Sequence, residues 1–166
     1  MTLMSRKADY ALLILSYLHQ RKEGGTARAI AEQFGLSRSF VANILKELCQ
    51  NGFVASHRGV KGGYALARDA ATTSLAELLE TVEDGFQLTV CNHTTDARAE
   101  ACSHATSCTV KGPMADVHQR LMGVLQGVML VELFDPKAKP SALHALPLLA
   151  ATGCCSANTV EQPSPA

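Results

Sequence analysis

Cys91, Cys102 and Cys108 fall within eighteen residues of one another, in a stretch that is otherwise small and polar from Asn92 to Ser107. Such a stretch has little to bury, and so little reason to stay ordered unless something ties it down. Three soft thiolates can do that by holding an iron–sulfur cluster or a zinc ion. His93 and His104 are near enough in sequence to complete a zinc tetrahedron, so spacing alone leaves both metals open. Cys102 with His104 imitates a nucleophile beside its base, but no oxyanion element or pocket motif accompanies the pair, and no enzymatic activity is expected. Cys49 reads as helix packing, and Cys154 with Cys155 as an incidental pair in a tail.

A second chemistry lies in the bases. The chain of 166 residues has a formal net charge of zero, but the charge is divided. Through Arg68 there are ten Lys and Arg against four acids, and from Asp69 onward five against eleven. A basic first half suits a polyanion, whose neutralised phosphates release counterions on binding.

The elements that would position these groups are legible in the hydrophobic spacing. Apolar residues recur at helical intervals from Met4 to Leu18, Thr26 can cap a short helix over 27–34 that Gly35 stops, and Ser37 can cap a third over 38–50. Two short helices joined by Gly35-Leu36-Ser37 read as a helix-turn-helix. Phe53–Ser56 and Tyr64–Ala67, joined through Gly59, Gly62 and Gly63, read as a hairpin wing. Ser74 caps a further helix to Glu83. After the cysteines, a helix over 113–134 is predicted, with Pro113 at its first position and an apolar stripe of Val117, Leu121, Val124, Leu125 and Val128. Only a tail containing Pro and Ala follows, so a second copy of the chain is expected to bury that stripe.

The expected fold is therefore mainly α: a winged helix-turn-helix DNA-binding domain with a cysteine loop and a long dimerisation helix. Its parts are a DNA-binding region (1–68), a connecting helix and cysteine loop (69–112), the dimerisation helix (113–134) and a flexible tail (135–166). The composition, 47% apolar and 18% charged, excludes collagenous and wholly disordered chains. The start lacks the apolar core of a signal peptide, and no stretch is long enough to span a membrane, so a soluble cytoplasmic protein is expected, with reduced thiols.

Partners follow from the recognition helix. Ser37, Arg38, Ser39 and Asn43 occupy its early turns, the end that meets base edges in double-stranded DNA. Arg38 is the first candidate for a base contact, because a guanidinium bonds a guanine edge at two points. Lys46, Arg28 and Ser39 are phosphate candidates, and Arg58 and Lys61 project from a turn narrow enough for a minor groove. His57 reads as an ordinary exposed strand residue.

Together, several segments resemble the iron–sulfur winged-helix transcriptional regulators of the IscR, NsrR and SUF-system type, over roughly 1–134. They are Ser5-Arg6-Lys7-Ala8-Asp9-Tyr10-Ala11-Leu12, the wing Arg58-Gly59-Val60-Lys61-Gly62-Gly63-Tyr64-Ala65-Leu66-Ala67, the three cysteines, and Leu130-Val131-Glu132-Leu133-Phe134. The resemblance implies a homodimeric regulator, a repressor by expectation, whose [2Fe-2S] or [4Fe-4S] cluster controls its affinity for an operator. IscR-like members take their fourth ligand from a histidine three residues after the last cysteine, where this chain has Lys111. NsrR-like members take it from an aspartate in the first helix, and Asp9 stands at that place. The implied ligand set is Cys91, Cys102, Cys108 and Asp9, with His93 and His104 as fallbacks and Asp9 supplied by the other subunit. The gap between Cys91 and Cys102 is longer than in many such proteins. The alternative is a winged-helix repressor without a cluster, working as a thiol switch or stabilised by zinc.

Overall fold

The computed structural model describes residues 4–59, 62–83, 86–89, 102–104, 107–135 and 137. Cys91, His93, Lys61, Cys154 and Cys155, on which several expectations rest, lie outside the described residues.

Helix α1 (Arg6–Gln20) begins where Ser5 is extended and its hydroxyl accepts a hydrogen bond from the Ala8 N–H at 3.2 Å. A hydroxyl there satisfies one of the orphan donors of the first turn, a contribution of about 1 kcal/mol. Ala8, Ala11, Ile14, Leu15 and Leu18 form its buried stripe. Thr26 and Ser37 cap α2 (Ala27–Phe34) and α3 (Arg38–Gln50) in the same way, accepting from the N–H groups of Ala29 and Phe40. Gly35 stops α2 at φ 64°, in the left-handed region that a residue with a Cβ resists. The Leu36 N–H then donates back to the Ala31 carbonyl at 2.9 Å, and the chain turns directly into α3.

Strands β1 (Val54–His57) and β2 (Gly63–Leu66) pair antiparallel, with Val54 opposite Leu66 and His57 opposite Gly63. The sheet is fastened to the helices at both ends. Gly25 and Tyr64 exchange backbone hydrogen bonds of 2.8 Å in both directions. Gly24, at φ 80° with the Tyr64 carbonyl where a Cβ would stand, is what allows that approach. At the other end Arg68 donates to the Asn51 carbonyl at 3.0 Å, pairs with Glu77, and lies over the Phe53 ring at 4.7 Å.

Helix α4 (Leu75–Val82) is capped by Ser74. Two helices follow the cysteine segment, α5 (Lys111–Gln126) and α6 (Leu130–Phe134). This corrects the expectation of one helix over 113–134. α5 starts two residues earlier, so Pro113 is its third residue, and the chain breaks at 127–129. The break has a clear cause. Met129 is extended and pairs with Ser74, while the Leu75 N–H donates to Val128 O and the N–H groups of Leu130 and Val131 donate to Thr73 O and Ala70 O, at 2.8, 2.9 and 3.0 Å. The backbone of 70–75 takes bonds that a continuous helix would have made for itself, and Gly127 weakens the helix at that point.

The core sits where α1, α3, α4 and α6 meet the root of the wing, around Ile14, Leu15, Leu45, Leu48, Leu78, Leu79 and Val82. α5 packs on α4, and Leu121, Leu125 and Val128 of the predicted stripe are covered by the chain's own core rather than left for a second copy. The other side of α5 leaves Val110, Val117 and Val124, spaced by seven, exposed at 58%, 49% and 38%. Among the described residues no helix is long and apolar enough to cross a membrane.

Candidate nucleic-acid interface and cysteine segment

The helix-turn-helix is held from behind. Tyr10 of α1 meets Phe40 of α3 edge-on at 5.4 Å, Tyr17 meets Phe34 of α2 at 6.1 Å, and Lys7 bridges to Glu47 at 2.8 Å. Burial of Val41, Ile44, Leu45 and Leu48 turns the opposite side of α3 outward. Ser37, Arg38, Ser39, Asn43 and Lys46 are all exposed on it, as the sequence predicts for a helix that offers side chains to a groove.

Arg28 is exposed on α2, but its guanidinium is not idle. It donates to Glu32 one turn on, at 2.8 Å, and that hydrogen bond and charge raise it above the ordinary arginine value. A phosphate meeting Arg28 must therefore share it with Glu32. Arg58 is exposed at the end of β1.

Between the first turns of α2 and α3 and the wing lies a concavity of about 370 Å³, faced by Thr26, Arg28, Arg38, His57, Arg58 and Tyr64. Three arginines, from α2, α3 and the turn after β1, thus line one hollow. Sequence reasoning passed over Thr26, His57 and Tyr64 as interface residues. Thr26 was legible only as a cap, and the position of His57 depends on how the wing folds against α2.

The cysteine segment is described in part. Cys102 and Cys108 are free, half-buried thiols, and between them the Ser107 N–H donates to the His104 carbonyl at 3.1 Å. His104 and Lys111 are exposed. Among the described residues no three His, Cys, Asp or Glu side chains are placed to hold a metal ion, so Asp9 does not join Cys102 and Cys108 within one chain. Asp9 is exposed in the first turn of α1, on an apolar groove of about 450 Å³ with Leu12, Leu13, Ser16, Leu133 and Phe134.

Two buried polar atoms near the segment have no partner among the described residues. They are Gln87 Oε1, four residues before Cys91, and His118 Nδ1 on α5, whose ring lies 6.3 Å from that of Phe86. Neither was singled out from sequence. Cys49, on α3, is half-buried, and burial pushes its thiol up, in keeping with a packing role.

Comparison with known proteins places this geometry. Residues 4–136 match the family model described as Rrf2, iron-dependent transcriptional regulator. The HTH-type transcriptional regulator IscR of Photorhabdus laumondii is 30% identical over 135 residues, covering 81% of this chain and 79% of that protein. IscR of Serratia proteamaculans is 29% identical over the same shares. Three solved structures share the fold. They are a putative transcriptional regulator from Listeria innocua (TM-score 0.62, 22% identity, 82% of this chain and 88% of that one), CymR, the global cysteine regulator of B. subtilis (0.61, 20%, 83% and 100%), and IscR of T. potens (0.58, 23%, 78% and 84%). The match to mainly helical, winged regulators agrees with the fold read from the sequence, and the relatives are named as regulators of transcription rather than as enzymes. The chain belongs to the Rrf2 family of transcriptional regulators.

Proposed function

We propose that the chain is a homodimeric, DNA-binding repressor whose affinity for its operator is set by an iron–sulfur cluster, in control of cluster assembly or stress genes. The observation that carries the reading is the cysteine segment. Two free, half-buried thiols stand before α5, and Gln87 Oε1 ahead of the segment and His118 Nδ1 within α5 are buried with no partner among the described residues. Buried polar atoms without partners are rare in a finished structure. Soft thiols fit an iron–sulfur cluster, and the family's description as iron-dependent agrees.

In this reading Cys91, Cys102 and Cys108 would hold the group, with Asp9 supplied by the second copy. Lys111 cannot serve while protonated. Asp9 has no side-chain partner among the described residues and faces outward from α1, where another subunit can reach it. When bound, the cluster would supply redox and nitric-oxide sensitivity. Val117 and Val124 of α5, with Val110 just before it, make the exposed apolar seam on which two copies would meet, whereas Leu121 packs on the chain's own core. Losing the carboxylate would free α1 relative to α5 and alter the distance between the two recognition helices, which must match half-sites about one helical turn apart.

DNA would be read by Arg38, with Ser37, Ser39 and Asn43 beside it, anchored on phosphates by Arg28, Ser39 and Lys46 and gripped by Arg58 and Lys61 of the wing. A thiol switch is the second reading, favoured by Cys102 and Cys108 being free with only five residues between them. One experiment separates the two: absorption and native mass spectra of protein purified without oxygen, beside the Cys91/Cys102/Cys108 triple serine variant. A coloured, sulfide-containing dimer whose absorption is lost in the variant supports the cluster. A colourless dimer that stays so after reconstitution supports the thiol switch or zinc.

A further inference from the structure

His57 ends strand β1 opposite Gly63, and its exposed imidazole forms part of the wall of the 370 Å³ concavity. The groups that share the wall come from every neighbouring element: Thr26 and Arg28 from the start of α2, Arg38 from α3, Arg58 from the turn after β1, and Tyr64 from β2. None of the lining residues is a carboxylate. Glu32, which pairs with Arg28, lines the adjacent hollow, whose wall Arg28 and Arg38 also share. The concavity is thus walled by three arginines and the His57 imidazole, with Arg28 shared with the Glu32 carboxylate.

A hollow of that charge, between a recognition helix and a wing, fits a phosphate of the DNA backbone. An anion seated there favours the protonated imidazole over the neutral one. We propose that His57 is a phosphate contact of the DNA-binding surface, and that operator DNA is bound with uptake of a proton at His57. This rests on the DNA-reading account above and adds to it a dependence on pH. The sign follows from linkage: the complex holds more protons than the free protein, so affinity rises as pH falls and the gain disappears at alkaline pH.

The test is the dissociation constant for a duplex selected by the wild-type protein from a random pool. It is measured from pH 8 to pH 6 at fixed salt, without oxygen, for the wild type, His57→Gln and His57→Arg. The wild type should gain up to roughly tenfold in affinity across that range. His57→Gln should lose most of the gain, and His57→Arg should bind at pH 8 about as tightly as the wild type at pH 6. His57 is exposed, so neither change threatens the fold. Equal pH dependence in the wild type and His57→Gln would overturn the inference while leaving DNA binding intact. No binding at any pH by any of the three would overturn the DNA-reading account and this inference with it.

Discussion

Glu83 reaches from the end of α4 to the start of α1, where its Oε1 accepts a hydrogen bond from the Ser5 N–H at 2.8 Å. The cysteine segment begins just beyond Glu83, and Asp9 lies one turn beyond Ser5. The root of the segment and the first turn of the DNA-binding domain are therefore joined by one carboxylate, placed at a helix N-terminus where negative charge is favoured. Glu83→Ala should lower stability by about 1 kcal/mol, read by urea unfolding. It should also speed hydrogen exchange at the first amides of α1, and unchanged exchange there would show that the contact holds nothing in place.

The exposed face of α3 separates two kinds of contact. Arg38→Ala should cost roughly 1–3 kcal/mol in operator binding and relax the choice of base at one position of each half-site. Lys46→Ala should instead weaken all sequences alike and reduce the dependence on salt concentration. Selection from a random DNA pool, with salt titrations, distinguishes the two. Identical effects from both substitutions would contradict the assignment of roles.

The seam on α5 predicts an oligomeric state. Val117, 49% exposed and at the middle of the heptad pattern, should lie against its own counterpart or close to it. Val117→Asp would then bury two like charges, and sedimentation should show monomers at micromolar concentration where the wild type is dimeric. A variant that remains dimeric would move the interface elsewhere.

Burial pushes the Cys49 thiol up, so at pH 8 a smaller share of it is thiolate than in the unfolded chain. Mass spectrometry should find Cys49 alkylated more slowly in the native protein than in urea at the same pH. Equal rates would mean that the C-terminal end of α3 opens freely.

Much of this was readable from residue types alone. The caps Thr26, Ser37 and Ser74, the stop at Gly35 and the glycine-rich turn between two short apolar runs are local signals, and the elements formed where those signals lay. What was missed depends on distant partners. The break after Gln126 arises because the backbone of 70–75, some fifty residues upstream, claims the N–H and C=O groups of 128–131. The tether from Glu83 to Ser5 spans 78 residues. His57 joined the basic concavity only because the wing folds back on the first turn of α2 through Gly25 and Tyr64. Asp9 shows the complementary limit, for its place on α1 was readable while its separation from Cys102 and Cys108 among the described residues was not.

The central question for this protein is whether the cysteine segment governs DNA binding. The direct measurement is the affinity of the anaerobically purified protein for its selected duplex, before and after nitric oxide, beside the Cys91/Cys102/Cys108 triple serine variant. The wild type should change its affinity by about tenfold or more, in the range of ordinary coupling between sites, and the variant should not respond. Equal affinities before and after treatment in the wild type, or the same response in both proteins, would show that it does not.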